Sequence, residues 1–245
     1  MTAKLSIQNL SFTYPDGIQA LNGVNLDIKP HELFVLMGPS RSGKSTLLRL
    51  MNRLSDLVEG GQRDGTILVD GQDIFTPETD VFALRRRISM VFAIPTPLPG
   101  TIYDNLTYGL KMAGLRDRAT LDERVERSLH QAALWDEVKD RLGDSAFALS
   151  GGQKQRLCLA RSLALEPEVI LLDNPTSGLD PISTSLVEAS LFELKQQYTV
   201  VMVPHSVQQA ARVADRIAFV LDGQVIEVGD NSQIFVNPTD KRTED

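Results

Sequence analysis

The sequence predicts an α/β fold whose core is a mainly parallel sheet, with an antiparallel β portion on the N-terminal side and a helical insert. Continuous apolar runs at Glu168–Asp173 and Tyr198–Val203 have the composition of strands buried on both faces, which is typical of parallel sheets. Lys4–Leu10 instead alternates apolar and polar residues, as a half-buried strand does. The middle third is poor in strand patterns, so Ile102–Leu142 is predicted to be the helical insert.

The composition favours a globular protein with one large or two small domains. Of its 245 residues, 42% are hydrophobic, which is enough for a packed core. The net charge of −7, from 25 basic and 32 acidic residues, disfavours non-specific nucleic-acid binding, which needs a basic surface. The N-terminus lacks the apolar segment of a signal peptide, and no apolar run approaches the ~18 residues of a membrane span. We therefore expect a cytosolic protein that can dock on a membrane component.

The other elements follow from residue periodicity and turn signals. Further strands are predicted at Val24–Ile28, Thr66–Asp70, Ile88–Phe92, Arg216–Leu221 and Gln224–Val228. Helices are predicted at Glu78–Arg87, Ile102–Met112, Leu121–Leu142 and Pro181–Gln197, the last with Asp180 as its N-cap. Three alternating prolines in Ile94–Gly100 exclude a helix there and favour a stiff extended loop.

A strand, a glycine loop and a helix follow one another in the stretch FVLMGPSRSGKSTLLRL, which is the pattern of a phosphate-binding loop. Gly38 and Gly43 let the backbone curl so that its N–H groups face a phosphate. Lys44 can reach the outer phosphates, and the Ser45 hydroxyl can hold Mg²⁺. The alternative is an ordinary Gly/Ser turn before a helix. The candidate nucleotide-binding residues here are Gly38, Pro39, Ser40, Arg41, Ser42, Gly43, Lys44, Ser45 and Thr46.

A second glycine-containing helix start lies at Leu149–Gln153, just before another apolar helical pattern. The N-terminus of a helix attracts anions, so this segment is a second candidate for contact with a phosphate. Many helices begin with similar residues, and alone the segment does not identify a nucleotide site. The candidate binding residues in it are Ser150, Gly151, Gly152 and Gln153.

Two polar residues stand at the ends of the predicted buried strands. Asp173 ends the first strand, at the edge of an open α/β sheet where ligands gather, so we expect it to face the Mg²⁺ held by Ser45. The alternative is a plain turn acid. His205 follows the second strand and is placed to reach the same ligand.

Tyr14 lies in the turn that separates the first two predicted strands and has two interpretations. It can cap a hairpin as a structural residue. It can also stack on a nucleotide base, because an aromatic face accepts any base. Both remain open from the sequence.

Taken together, these motifs resemble the ATP-binding subunits of ABC transporters over nearly the whole chain. GPSRSGKS is similar to Walker A, VILLD to Walker B and SGLD to the D-loop, while Leu149–Gln153 resembles the family signature and His205 the switch histidine. The resemblance implies a P-loop NTPase fold of ABC type that binds ATP and Mg²⁺. It makes residues 1–245 a single ATP-binding domain with a helical subdomain at about 95–165.

The resemblance also implies partners and a location. Two such subunits, here most simply a homodimer, would face each other, with each ATP between the Walker A of one and the signature of the other. They would sit on transmembrane permease subunits at the cytoplasmic face of the inner membrane. A periplasmic or extracellular substrate-binding protein would take part indirectly, and nucleic acid would not. Within the family, IPTPLPGTIYDNLTYGL and LDPIST resemble the ATPase of bacterial phosphate importers.

Three residues depart from the family pattern. Ala93 stands where a Gln is usual, Asn174 where a catalytic Glu is usual, and Pro204 where a Thr is usual. Asn can orient a water molecule but cannot take its proton at neutral pH. Two hypotheses therefore stay open: an ATP-driven phosphate importer in which Asn174 and His205 serve catalysis, or an ATP-binding regulatory module that hydrolyses ATP poorly. ATPases that act on DNA or ribosomes are disfavoured.

Overall fold

The computed structural model describes residues 2–244, which form two β-sheets and a set of helices. The strands are β1 (Leu5–Thr13), β2 (Gln19–Ile28), β3 (Leu33–Met37), β4 (Gln62–Val69), β5 (Gln72–Asp73), β6 (Ile88–Val91), β7 (Val169–Asp173), β8 (Thr199–Val203), β9 (Arg216–Leu221) and β10 (Gln224–Gly229). The helices are α1 (Lys44–Met51), α2 (Val81–Arg87), α3 (Ile102–Met112), α4 (Arg118–Gln131), α5 (Trp135–Val138), α6 (Gly151–Ala164), α7 (Pro181–Leu194), α8 (Val207–Val213), α9 (Asn231–Val236) and α10 (Lys241–Glu244).

The predicted fold class is confirmed. Six strands form one sheet in the order β10-β9-β3-β8-β7-β6, in which all neighbours are parallel except the pair of β9 with β10. Four strands form a second, antiparallel sheet in the order β2-β1-β4-β5. The elements described between β6 and β7 are helices and short 3-10 turns.

The parallel sheet separates two hydrophobic cores, and alternate residues of its strands belong to different cores. In β3, Leu33 and Val35 pack with the helices on one face, whereas Phe34 and Leu36 pack with α1 and the antiparallel sheet on the other. All five residues of β7 and all five of β8 are buried. Burial on both faces explains why these strands are continuous apolar runs in the sequence.

Two predicted helices end earlier than expected. The predicted helix Leu121–Leu142 is wrong as a single element, because α4 ends at Gln131 and α5 begins only at Trp135. Ala133 has a left-handed backbone with φ of 50°, and Leu134 N donates to Leu129 O, which closes α4 in a Schellman-type motif. That position is usually glycine, so the sequence does not show the break. The helix predicted to reach Gln197 likewise ends at Leu194.

The predicted cap of α7 is present. The Asp180 carboxylate accepts hydrogen bonds from the backbone N–H groups of Ile182 and Ser183, each at 3.0 Å, and Pro181 occupies the first turn. Among residues 2–244, no helix combines the length and the apolar character that crossing a membrane requires.

Four charged residues join the two sheets at the edge where the parallel strands begin. Lys4 Nζ contacts Asp70 at 2.7 Å and Glu168 at 2.5 Å, and Arg87 contacts the same two carboxylates at 2.7 and 2.6 Å. The Arg87 guanidinium has the largest effect on Glu168, and together with the Lys4 ammonium it lowers the pKa of Glu168 to about 2. The ionised carboxylate is therefore favoured in the folded protein.

We expect Glu168→Gln to reduce the free energy of unfolding at pH 7 by about 1 kcal/mol. Hydrogen bonds to charged groups contribute about 1.5–3 kcal/mol, but the Glu168 side chain is 39% exposed and solvent reduces that contribution. Because the folded pKa lies below the ordinary value of 4.5, the stabilisation is lost as the pH falls from 4.5 towards 2. Urea unfolding at several pH values should show the variant and wild type converging in acid. Glu193→Gln, at an exposed carboxylate of α7, is the control. If the difference in unfolding free energy between Glu168→Gln and wild type does not shrink in acid, the lowered pKa of Glu168 would be contradicted.

Candidate active site

The candidate site lies where three neighbouring parallel strands end. β3, β8 and β7 are adjacent and parallel, so their carboxyl ends lie at the same edge of the sheet. Each strand is followed by polar residues predicted to contact a nucleotide. A cavity of about 700 Å³ opens at this edge. Of the predicted residues, it is lined by Tyr14, Gly38, Ser40, Arg41, Ser42, Gly43, Lys44, Ser45, Thr46, Asn174 and His205.

The phosphate-binding loop is packed so tightly that its two terminal glycines cannot be replaced without a shift. Gly38 has φ of 142°, and a Cβ there would lie 2.0 Å from the Val220 carbonyl oxygen. Gly43 has φ of 99°, and a Cβ would lie 2.3 Å from the Ala20 carbonyl oxygen. Both glycines are therefore required by the curled backbone as well as by close packing. Gly43 directly precedes α1, whose N-terminus faces the cavity side of the loop.

Lys44 folds back over the loop that precedes it. Its Nζ donates to the carbonyl oxygens of Gly38 at 2.8 Å and Pro39 at 2.6 Å, and to Ser42 Oγ at 3.1 Å. Burial lowers the pKa of the Lys44 ammonium, and the nearby Asp173 carboxylate partly offsets this. Pro39 is the one loop residue outside the cavity lining, and it takes part through its carbonyl group.

Ser45 and Asp173 are in direct contact, as the sequence predicted. Ser45 Oγ donates to Asp173 Oδ1 at 2.9 Å, and Asp173 is buried behind the cavity wall. Mg²⁺ characteristically binds one or two carboxylates together with waters and substrate phosphates. The Ser45 hydroxyl and the Asp173 carboxylate fit that ion. Residues 2–244 contain no group of three or more His, Cys, Asp or Glu that could hold a metal ion. Their role as magnesium ligands stays a prediction.

Tyr14 combines features of both interpretations made from the sequence. Its hydroxyl lies 2.9 Å from Thr46 Oγ1, and its ring packs edge-on against Phe12 with a centroid distance of 5.1 Å. These contacts are structural, but they also fix the ring at the wall of the cavity. Stacking on a base stays a prediction.

Asn174 follows Asp173 directly and has a left-handed backbone with φ of 49°. Its backbone N–H donates to the Val203 carbonyl oxygen at 2.9 Å, and its own carbonyl accepts from Ser177 N at 3.1 Å. Asn tolerates this conformation better than Glu does, because its short side chain can bond locally. The residue that departs from the family pattern is therefore well suited to the local backbone.

His205 is exposed at the cavity rim, after β8. Its backbone N–H donates to Gln209 Oε1 at 2.9 Å. Gln209 is buried, and the sequence reasoning missed it. The available signal was its position four residues after the histidine, at the start of a helical turn.

The structure does not bring the second glycine segment into this cavity. Ser150 caps α6, accepting from Gln153 N at 3.3 Å, while Gln153 Oε1 accepts from Ser150 N at 3.0 Å. A Cβ on Gly152 would lie 2.3 Å from Ser183 Oγ, so α6 and α7 begin in close contact. None of the four predicted residues of this segment lines the cavity of its own chain, namely Ser150, Gly151, Gly152 and Gln153.

The Gln153 side chain is held by residues that sequence reasoning also missed. Its Nε2 donates to Glu137 Oε2 at 2.7 Å, and the other oxygen of that carboxylate accepts from the buried Arg156 at 2.6 Å. Burial acts to raise the pKa of Glu137, but the hydrogen bonds from Arg156 and Gln153 and the charges of Arg156 and Arg141 together lower it.

The proline-rich loop contains no helix, as predicted, and carbonyl groups in and just before it accept hydrogen bonds from the helices. Asn105 Nδ2 donates to the Leu98 carbonyl oxygen at 3.0 Å, and Arg161 Nη1 donates to that of Thr96 at 3.1 Å. Gln155 Nε2 donates to the Phe92 carbonyl oxygen at 3.0 Å. Ala93, within this segment, does not line the cavity.

The sequence model of the family described as "ABC transporter" matches residues 21–177. This range covers the phosphate-binding loop, the second glycine segment, Asp173 and Asn174. The chain belongs to the ABC transporter family. It is therefore an ATP-binding subunit of the ABC type, and ATP hydrolysis and the use of Mg²⁺ are general properties of such domains. The predicted P-loop NTPase fold of ABC type is confirmed.

Two solved structures are similar to this ABC subunit along most of its length. CbiO1 from Clostridium perfringens, described as part of the ABC transporter complex cbiONQ, is 28% identical with a TM-score of 0.83; the match covers 96% of this chain and 91% of CbiO1. A bacterial Atm1-family ABC exporter with ATP bound is 26% identical with a TM-score of 0.79. That match covers 94% of this chain but only 39% of the exporter chain.

We expect Lys44→Ala to weaken ATP binding by about ten- to a hundredfold. A hydrogen bond to a charged group contributes about 1.5–3 kcal/mol, which corresponds to that range of affinity. Titration with a fluorescent ATP analogue measures it, with Lys29→Ala, at an exposed lysine after β2, as the control. An unchanged dissociation constant in Lys44→Ala would contradict the assignment of the loop.

Proposed function

We propose that this chain is the ATP-hydrolysing subunit of an ABC importer for inorganic phosphate. ATP hydrolysis is supported by the cavity that collects the phosphate-binding loop, Asn174 and His205 from three strand ends. Phosphate as the substrate is supported by the resemblance of IPTPLPGTIYDNLTYGL and LDPIST to the ATPases of phosphate importers. In this proposal, residues 1–245 form one ATP-binding domain with a helical subdomain at about 95–165. ATP closes a pair of chains, and hydrolysis reopens it.

The pairing of two chains is supported by the separation of the two glycine segments. The N-terminus of α6 lies outside the nucleotide cavity of its own chain, yet Ser150 and Gln153 hold it in a fixed geometry. A fixed helix N-terminus attracts an anion. We propose that the anion is the ATP bound to a second copy of this chain, so that ATP joins the two copies.

Each group that lines the cavity or lies next to it then has a distinct chemical task. The backbone N–H groups of the loop and Lys44 bind the phosphates, and Tyr14 stacks on the base. Ser45 and Asp173 hold Mg²⁺, which neutralises phosphate charge when bound. Asn174 orients the attacking water through its amide oxygen, and His205 contacts the terminal phosphate.

Docking on permease subunits at the cytoplasmic face of the inner membrane is supported by the proline-rich loop. Phe92 and Ile94 are 44% and 78% exposed, and Tyr108 on α3 is 58% exposed. The hydrogen bonds from Asn105 and Arg161 keep this surface ordered, so binding costs little conformational entropy. A substrate-binding protein on the other side of the membrane would contact the permease and not this chain.

Phosphate as substrate is tested in proteoliposomes that contain phosphate-permease subunits, this chain and ATP. We expect ATP-dependent uptake of radiolabelled phosphate and no uptake of sulfate. Ser150→Arg should abolish uptake, because the bulk and charge at the start of α6 obstruct the second copy, while the monomer still binds ATP. Ser232→Arg, at an exposed serine of α9, is the control. ATP-dependent uptake of another solute, with none of phosphate, would refute the substrate assignment and leave the ATPase assignment standing.

A second candidate function is an ATP-binding module that clamps ATP but hydrolyses it poorly. It is favoured by Asn174 and Ala93, which lack the carboxylate and the amide that are usual at these positions in the family. The binding residues are complete in either case. The two functions therefore differ in the rate of hydrolysis and not in affinity for ATP.

We expect slow hydrolysis by the unmodified chain and an increase of about tenfold or more in Asn174→Glu. A positioned general base contributes about 10²–10⁴-fold, or about 2.7–5.4 kcal/mol of barrier. The variant should be about 1 kcal/mol less stable, because Glu disfavours the left-handed backbone at this position.

Asn174→Gln has the length of Glu without its charge and serves as the matched control. Adding Ala93→Gln should raise the rate further, mainly when permease subunits are present. Phosphate release in steady state measures all these rates. Rapid hydrolysis by the unmodified chain, or no gain in Asn174→Glu, would show that another residue activates the water.

A further inference from the structure

The buried amide of Gln209 joins three segments that surround the candidate active site. Gln209 is 2% exposed and belongs to the first turn of α8, where its backbone N–H donates to Ser206 Oγ at 3.2 Å. Its side chain contacts the backbone of His205, the hydroxyl of Thr176 and the carboxylate of Glu188. Thr176 belongs to the loop after Asp173, and Glu188 belongs to α7.

The chemistry of the neighbours fixes the orientation of this amide. The Glu188 carboxylate can only accept, so Nε2 of Gln209 faces its Oε1 at 3.0 Å. The backbone N–H of His205 can only donate, so Oε1 of Gln209 faces it at 2.9 Å. The Thr176 hydroxyl lies 3.0 Å from Nε2 and 3.2 Å from Oε1 and can bond to either. If the amide were flipped, its NH₂ group would face the His205 N–H, and its oxygen would face the Glu188 carboxylate. Neither contact could be a hydrogen bond.

Glu188 is in turn held by Arg212, one turn further along α8. Arg212 Nη2 and Nε contact Glu188 Oε1 and Oε2 at 2.7 and 3.0 Å, a bidentate arrangement. This pairing lowers the pKa of Glu188, so its carboxylate is ionised at neutral pH and remains an acceptor for the amide. Arg212, Glu188 and Gln209 thus form a chain of contacts that ends at His205.

We propose that Gln209 is a positioning residue, which fastens the backbone of His205 to the loop after Asp173 so that His205 and Asn174 meet the same nucleotide. The inference rests on the proposed function. His205 is exposed, and its N–H bond to Gln209 is the contact that ties its backbone to the buried interior. The loop is tied to the same amide through Thr176. Movement of either segment therefore strains the contact with the other.

Gln209→Met tests the proposal, since Met has a similar size but cannot bond to His205 N–H. By hydrogen–deuterium exchange, we expect the His205 amide to exchange about tenfold faster, the equivalent of roughly one lost hydrogen bond. We expect kcat for ATP to fall by about ten- to a hundredfold, because small misplacements have effects of that size. KM should be unchanged, since the phosphate-binding loop is intact. Gln208→Met, at the exposed neighbour on α8, should resemble wild type in both measurements.

Gln209→Glu combined with Glu188→Gln keeps an acceptor for His205 N–H and a donor–acceptor pair between positions 209 and 188. This double variant should restore protection of the His205 amide, which a merely space-filling role would not require. If Gln209→Met does not fold, Thr176→Val removes only the bridging hydroxyl and should speed exchange of Ser177 N–H, which bonds to Asn174 O. Wild-type exchange at His205 in Gln209→Met, or faster exchange with an unchanged kcat, would overturn the proposal. If the unmodified chain does not hydrolyse ATP at all, the proposed function fails, but ATP should still slow exchange of the His205 amide in wild type and not in Gln209→Met. Equal slowing in both would overturn the positioning role.

Discussion

Burial of the central parallel strands on both faces is the constraint on which the arrangement of the site depends. Every residue of β7 and β8 is buried, so a charged or polar side chain can reach a ligand only at the last residue of a strand or beyond it. Because β3, β8 and β7 are adjacent and parallel, their ends share one edge. The loop of Gly38, the acid Asp173 and the histidine His205 are therefore close in space although far apart in sequence. The hydrogen bond between Ser45 and Asp173 is a direct result.

The sequence was most informative where one physical requirement determines several residues in a row. Doubly buried strands appear as apolar runs, and the phosphate-binding loop needs glycines at two crowded positions, so both were predictable. Prediction failed where a single contact decides the outcome. Ala133 ends α4 in a conformation that usually needs glycine, and nothing in its residue type indicates this. Gln209 acquires its role from Glu188 and Thr176, which only the folded chain brings to it.

The site separates the residues that bind a nucleotide from those that would act on it. Binding depends on one continuous loop and on α1, whose geometry is secured by local contacts such as those of Lys44. The residues near the expected position of the water, Asn174 and His205, come from separate strand ends and are held by contacts outside the phosphate-binding loop. A substitution such as the Asn at position 174 can therefore alter the chemistry without disturbing the loop. The left-handed backbone at that position favours Asn over Glu.

The attachment of the proline-rich loop has a mechanical consequence. Its carbonyl groups accept hydrogen bonds from Asn105 on α3 and from Gln155 and Arg161 on α6. A force applied to the loop would therefore reach the helices directly, because the prolines restrict the backbone of the loop and the hydrogen bonds hold the loop against the helices. Because Ser150 caps α6, a displacement of this helix together with the loop would also move the glycine segment. The loop and these helices are thus joined into one unit, which is connected to the parallel sheet before Phe92, at β6, and after α6, at β7.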